Sequence, residues 1–277
     1  MMSARDGRKR TSTNSETLIF LHLPKTGGNT LKSVIRRQYP KESICELHYP
    51  AREAVQEFSL RPLEERAGYR VVTGHMQLGL HEFIPGPSCY LTMLRDPVAR
   101  GISAYFFVLR KPDHPRHELI RNRSLAEVLR EGLLPFLDNG QTRTLCATEV
   151  QDVPYGECTR AMLDQAKDNV ERHIAVAGTA ARFDETLLLT KDRLGWGNVF
   201  YTRKNAAPKQ RAASEPSPDV VELMREHVQL DTELYRFVED RLDQQVAALG
   251  EPFARRLKRF RYMNRAASRL APFLPGM

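Results

Sequence analysis

Leu18-Ile19-Phe20-Leu21-His22-Leu23-Pro24-Lys25-Thr26-Gly27-Gly28-Asn29-Thr30 carries an apolar run into a glycine-bearing turn, and a helical pattern begins at Leu31. The run Leu18 to Leu23 predicts a strand. Leu31, Val34 and Ile35 mark one face of a helix that Pro40 stops. Strand, short loop, helix is how α/β proteins build anion sites: amides at the helix start point outward, and the helix dipole favours negative charge there. Lys25 adds a positive charge at the mouth. The Walker loop that binds nucleoside triphosphates has its lysine after the last loop glycine. Here Lys25 precedes Gly27 and Gly28, which argues against that loop. Taken alone, the two glycines fit a bare tight turn equally well.

Working outward, Tyr69 to Thr73 and Ser88 to Leu94 read as strands that run into Gly74-His75 and Arg95-Asp96-Pro97. Asp96 suits an N-cap and Pro97 a first helical turn. Val98, Ile102, Tyr105, Phe106 and Leu109 form the stripe of the helix that follows. Ser43 to Leu47 and Ile174 to Ala177, the latter closed by Gly178, supply two more strands. Helices are expected over Ala51 to Leu60, Leu125 to Glu131, Thr159 to Val170, Phe183 to Leu194 and Val220 to Leu249, the last interrupted near Leu230-Asp231. Lys111 to Asn122 and Ala206 to Pro218 read as surface loops. The alternation predicts an α/β fold: P-loop-like, three-layer α/β/α, with a central parallel sheet and a helical C-terminal region. The loops after Leu23, Thr73 and Leu94 all leave strand C-termini, where such sheets bind ligands.

The 277 residues, 41% hydrophobic and 27% charged, fit a soluble globular protein. No apolar run approaches the ~18 residues of a membrane helix. The polar stretch after Arg5, Arg8, Lys9 and Arg10 lacks the apolar region of a signal peptide, so a cytoplasmic protein is expected. The net charge of +8 points to an anionic ligand. With no RNP-like run, zinc-finger spacing or recognition helix, nucleic acid is not the expected partner. Cys45, Cys89, Cys146 and Cys158 show no metal-ligand spacing. Reduced thiols are the default, with a Cys146–Cys158 bridge left open for an oxidising compartment.

In this order the motifs resemble those of sulfotransferases that use 3′-phosphoadenosine 5′-phosphosulfate. They are most similar to the carbohydrate type that includes heparan 2-O-sulfotransferase and soluble bacterial relatives. The family's 5′-phosphosulfate loop resembles Pro24, Lys25, Thr26, Gly27, Gly28, Asn29 and Thr30. Its 3′-phosphate motif is matched by Arg95, Asp96, Pro97, Arg100, Ser103 and Tyr105, and its Gly-His by Gly74-His75. Weaker echoes are Asn139 to Arg143, Phe183-Asp184-Glu185 with Leu194-Gly195-Trp196, and Lys204-Asn205. The chain then divides into a disordered tail (1–16), a sulfotransferase domain (17–250) and a basic helical extension (251–277).

Sulfuryl transfer builds charge on the leaving phosphate oxygen, which calls for a cation and N–H donors. Lys25 and the loop amides fit, with hydroxyls from Thr26 and Thr30. Arg95 suits a bidentate grip on the 3′-phosphate, joined by Ser103 and by Arg203 and Lys204 closing over it. The resemblance places the catalytic base at His75, acting on an acceptor hydroxyl, most simply of a carbohydrate or glycolipid. No metal is required. Plainer readings stand beside these: a solvated Lys25, an Arg95 paired with Asp96, a His75 bonded to backbone. His22 reads as a core histidine, His81 as an acceptor contact or surface residue, and Glu82 or Asp96 as a group that could orient the base. A phosphotransferase would share the architecture but lacks its Walker lysine and magnesium-binding acid. A non-catalytic nucleotide or polyanion-binding module is the third alternative. Phe253 to Leu274, rich in arginine, reads as a basic helix in peripheral contact with an anionic membrane, as a clamp on an anionic acceptor, or as a helix packed on the domain with its basic face solvated.

Overall fold

β1 (Thr17–Leu21) is buried at every position, as a strand apolar along its length must be when both sheet faces are covered. Ile19 and Leu21 join one core cluster, and Leu18 and Phe20 join another on the opposite face. The structure, a computed structural model, describes residues 16–146, 153–202 and 216–270. After β1 come α1 (Gly28–Gln38), β2 (Ile44–Leu47), α2 (Ala51–Leu60), α3 (Leu63–Gly68), β3 (Val71–Gly74), β4 (Ser88–Leu94), α4 (Pro97–Leu109), α5 (His117–Ile120) and α6 (Leu125–Arg130). Then follow α7 (Gly140–Leu145), α8 (Arg160–His173), β5 (Ile174–Thr179), α9 (Phe183–Leu194), α10 (Pro218–His227) and α11 (Gln229–Leu270). The strands form one parallel sheet in the order β2-β3-β1-β4-β5. From β1 the chain moves outward to β2 on one side, and from β3 it crosses β1 to reach β4 on the other. The C-terminal end of β1 is therefore a switch point, flanked by the ends of β3 and β4.

Phe58 of α2, Leu163 and Val170 of α8, and Leu234 and Val238 of α11 cover the face of Ile19 and Leu21. Leu31, Val34 and Ile35 of α1, Leu187 and Leu188 of α9, and Leu242, Phe253, Leu257 and Phe260 of α11 cover the other. Full burial of one such side chain contributes about 1.5–3 kcal/mol. α11 serves both layers because it passes β5 and turns at Gly250, where φ is 59°. Tyr105, Val108, Ile120, Val128 and Met224 knit α4, α5, α6 and α10 into a third cluster beyond the sheet.

Several elements depart from expectation. Gly178 lies inside β5 instead of closing it. A Cβ there would sit 2.0 Å from Thr186 Cγ2, so α9 approaches that closely only over glycine. The expected loop Lys111 to Asn122 contains α5, because Ile120 is drawn fully into the third cluster. The helix interruption falls at Val228, close to the expected Leu230-Asp231, while Asp231 itself is buried within α11. All four cysteines are free, Cys146 and Cys158 included. Cys146 Sγ donates instead to the Thr142 carbonyl at 2.8 Å. Beyond Gly250, the apolar face of α11 is packed on the core while Arg255, Arg256, Lys258, Arg259, Arg265 and Arg269 are exposed. No described helix is long and apolar enough to cross a membrane. Residues 1–15, Arg203, Lys204 and most of the Ala206 to Pro218 loop lie outside the described residues.

Candidate active site

His22, the residue after β1, donates its amide to the Gly74 carbonyl at 3.0 Å, so the first loop leaves beside the end of β3. Lys25 (φ 69°) and Gly27 (φ 87°) then turn the chain through left-handed conformations. Gly27 is the N-cap of α1 and has no side chain to bond the first-turn amides; the Thr30 amide donates to the Gly27 carbonyl at 3.0 Å, and the amides of Gly28 and Asn29 are the ones left to face an anion. Asn29 is exposed there, and Thr30 is buried. The Thr26 hydroxyl donates to the Leu23 carbonyl at 2.9 Å, so it braces the turn from within. Gly28 is dictated by its neighbour: a Cβ would lie 2.1 Å from Cδ2 of the His22 ring. Gly28→Ala is expected to displace that ring and destabilise the protein by about 1–3 kcal/mol, the usual scale of overpacking. Thermal melting checks this, and an unchanged Tm would mean that the ring yields without cost.

The second loop meets the first through Arg95, whose Nη1 donates to the Lys25 carbonyl at 3.1 Å. Asp96 is not an ion partner of Arg95. It caps α4, accepting the Ala99 amide at 2.8 Å. Lys25 Nζ lies 4.3 Å from the centre of the Phe107 ring. Ser103 stands one turn before Phe107 on the same face of α4 and is half-buried. Burial first, and then the charges of Arg110 and Arg95, hold the Lys25 pKa below the ordinary lysine value. Burial likewise lowers Arg95, against a partly opposing pull from Asp96. Among the described residues neither Lys25 nor Arg95 forms an ion pair, so the mouth holds uncompensated positive charge. A multiply charged anion would relieve it.

His75 follows β3 at the same end of the sheet. Its Nδ1 lies 2.6 Å from the His22 carbonyl oxygen. A carbonyl can only accept, so Nδ1 carries the proton and Nε2 keeps its lone pair. The His22 and His75 rings are 4.3 Å apart, and His22 also stacks on Phe20 at 5.2 Å. His22 is buried, and its pKa falls to about 3 through burial first, then the charges of His75 and Lys32. His75 is exposed on one side, yet protein packed around the rest of the ring lowers its pKa below 6.5, opposed by the bond to His22. The ring is therefore neutral at pH 7, and the orienting group is the His22 carbonyl, not Glu82 or Asp96.

Other expected residues stand elsewhere. His81 is remote from His75, near the starts of β4 and β5. Its Nδ1 lies 3.0 Å from Tyr90 Oη and its ring 4.4 Å from that of His173. A cavity of about 200 Å³ opens there, lined also by Glu16 and Arg193. Arg100 faces inward at 2% exposure, donating to the Phe136 carbonyl at 2.7 Å. Tyr105 donates to the Arg123 carbonyl at 2.7 Å. Asp184 and Glu185 bind Arg261, and Asp184 also accepts from Tyr201 Oη. Sequence reasoning missed the His22 carbonyl and Phe107, and held Gln141 only within the weaker echo Asn139 to Arg143, without its role: the Gln141 side chain bonds the Arg95 main chain. Phe107 was open to discovery from its spacing of four from Ser103. No group of three or more His, Cys, Asp or Glu side chains among the described residues is placed to hold a metal.

The fold and the site thus define a parallel α/β protein with two cations, Lys25 and Arg95, on adjoining loops at its switch point and His75 at the same end of the sheet. Residues 3–271 match the Galactose-3-O-sulfotransferase family, and the chain belongs to it. It is 26% identical to the galactosylceramide sulfotransferase of Homo sapiens over 268 residues, covering 89% of this chain and 62% of that one. Against the Bos taurus galactosylceramide sulfotransferase it is 26% identical over 276 residues, covering 91% and 63%. The chain spans under two thirds of the length of these relatives. A mouse sulfotransferase, SULT7A1, solved in complex with PAP, aligns with a TM-score of 0.42 at 13% identity, over 90% of this chain and 89% of that one.

Proposed function

We propose that the chain transfers a sulfuryl group from 3′-phosphoadenosine 5′-phosphosulfate to a hydroxyl of a galactosyl acceptor, with galactolipid as the first candidate. Family membership and the names of the two galactosylceramide sulfotransferases support the reaction and the acceptor class. The observation that carries the reading is the Arg95–Lys25 bond. It joins two loops that each carry a cation without an ion partner among the described residues, which supports assigning one cation to each phosphate end of the donor, with His75 at the same end of the sheet as the base. The acceptor oxygen attacks sulfur, the bond from sulfur to the 5′-phosphate oxygen breaks, and the acceptor proton passes to His75 Nε2. Lys25 and the amides at the start of α1 take up the charge that builds on the leaving oxygen. Arg95, with Ser103 on the neighbouring face of α4, holds the 3′-phosphate.

The test is transfer of labelled sulfate from the donor to a panel of galactosylceramide, soluble galactosides and a heparan-type glycan. Transfer to the galactosyl acceptors is expected. Transfer to the heparan glycan alone would replace the galactosyl acceptor with the uronic-acid class. Donor binding without transfer to any hydroxyl would reduce the chain to a non-catalytic nucleotide-binding module.

A further inference from the structure

Gln141 is wholly buried, and both ends of its amide are spent on one residue. Its Oε1 accepts from the Arg95 amide at 2.9 Å, and its Nε2 donates to the Arg95 carbonyl at 3.0 Å. Arg95 sits between the last residue of β4 and the cap of α4, where the strand ladder has stopped and the helix ladder has not begun. Its peptide groups would otherwise need water or other partners. Gln141 is itself fixed from behind. The amides of Gln141 and Thr142 donate to Asp231 Oδ2 at 3.0 Å and Oδ1 at 2.7 Å. The Asp231 amide in turn donates to Asn139 Oδ1 at 3.0 Å. Asp231 has no exposed surface, and its countercharge is Arg100, whose Nη2 lies 3.7 Å away. A buried carboxylate needs such satisfaction on every side to be tolerated. An unbroken run of bonds therefore links α11, through α7, to both polar groups of the Arg95 main chain.

We infer that Gln141 is a positioning residue for Arg95: the Asp231-clamped α7 fixes the Arg95 backbone so that its guanidinium meets the 3′-phosphate of the nucleotide. Gln141 thereby sets the preference for 3′-phosphorylated nucleotides without touching them. This rests on the reading of Arg95 as the 3′-phosphate grip. A purely structural glutamine would change stability but not the ratio of affinities for two nucleotides that differ only in that phosphate.

The experiment measures binding of adenosine 3′,5′-bisphosphate and of adenosine 5′-phosphate by calorimetry, for the wild type, R95A, Q141M and the double variant. Q141M is expected to weaken bisphosphate binding about tenfold, the scale of a misplaced charge-assisted contact, with 5′-phosphate binding unchanged. R95A should lose most of the preference, and Q141M should add nothing on top of R95A. Q141E keeps the acceptor for the Arg95 amide and drops the donor, so it should move the ratio in the same direction if Q141M does not fold. An unchanged ratio in the Gln141 variants, equal losses for both nucleotides, or a further loss in the double variant would each overturn the positioning role while leaving Arg95 in place. An unchanged ratio in R95A would remove Arg95 itself, and the inference with it.

Discussion

Lys25→Ala is expected to lower sulfate transfer by about a thousandfold, the scale of losing one preorganised charge stabiliser in a catalytic site. The geometry explains why the loss should be in turnover more than in binding. Lys25 Nζ is held against the Phe107 ring at 4.3 Å, and its charge is disfavoured by burial and by Arg110 and Arg95. In the proposed role that destabilisation would be relieved most when full negative charge appears on the leaving oxygen, so the lysine would stabilise the transition state more than the bound donor. The nucleotide would keep Arg95 and the α1 amides, and affinity for adenosine 3′,5′-bisphosphate should fall far less than the rate. The fold should survive. Lys25 already occupies φ 69°, and alanine bears the same left-handed strain, so the two side chains differ little in backbone cost. Single-turnover rates, calorimetry and melting on the same preparations check all three statements. A turnover like that of the wild type would remove Lys25 from the leaving group.

The parts of this site readable from sequence are those whose signal is local. An apolar run, two glycines and a helical stripe mark the first loop, and β4 (Ser88–Leu94) and α9 (Phe183–Leu194) have the predicted bounds because turn and cap residues frame them. That the sheet is parallel follows from the alternation of elements; its order, which leaves the ends of β1, β3 and β4 together, comes from the structure. What stayed hidden depends on groups far apart in the chain or without a side-chain signature. The group that orients His75 is the main-chain carbonyl of His22, which any residue could supply, and only the pairing of β1 with β3 brings it there. Asp231 reads as a break in a helical pattern because an acid among apolar residues normally faces water. Here it takes the amides of a helix 90 residues earlier in the chain. Arg100 stands in the stretch that resembles a 3′-phosphate motif but is turned inward towards that same aspartate, and the resemblance alone does not separate the two uses of an arginine. Thr26, next to Lys25, likewise spends its hydroxyl on the loop.

His75→Ala is expected to lower turnover by about a hundredfold to ten-thousandfold, the range of a positioned general base, with donor affinity close to that of the wild type. The direction of its pH dependence follows from the lowered pKa. As the proposed base, His75 would act with Nε2 unprotonated, so activity is expected to be full above its pKa and to fall tenfold per pH unit below it. Because burial lowers that pKa beneath 6.5, the acid limb of the wild-type profile should lie below pH 6.5. The variant should lack that limb and be uniformly slow. One neighbour must be controlled. His22, with a pKa near 3 in the fold, takes up a proton in the unfolded chain near the ordinary histidine value but not in the folded one. Its contribution to stability is therefore present above about pH 6.5 and declines as the pH falls below it. Melting at each pH separates loss of fold from loss of base. His75→Asn sharpens the test, since its amide can still donate to the His22 carbonyl but offers no basic nitrogen to the acceptor. If the asparagine variant kept both turnover and the acid limb, the proton would have to leave by another group, and the bond from His75 to His22 would be structural only.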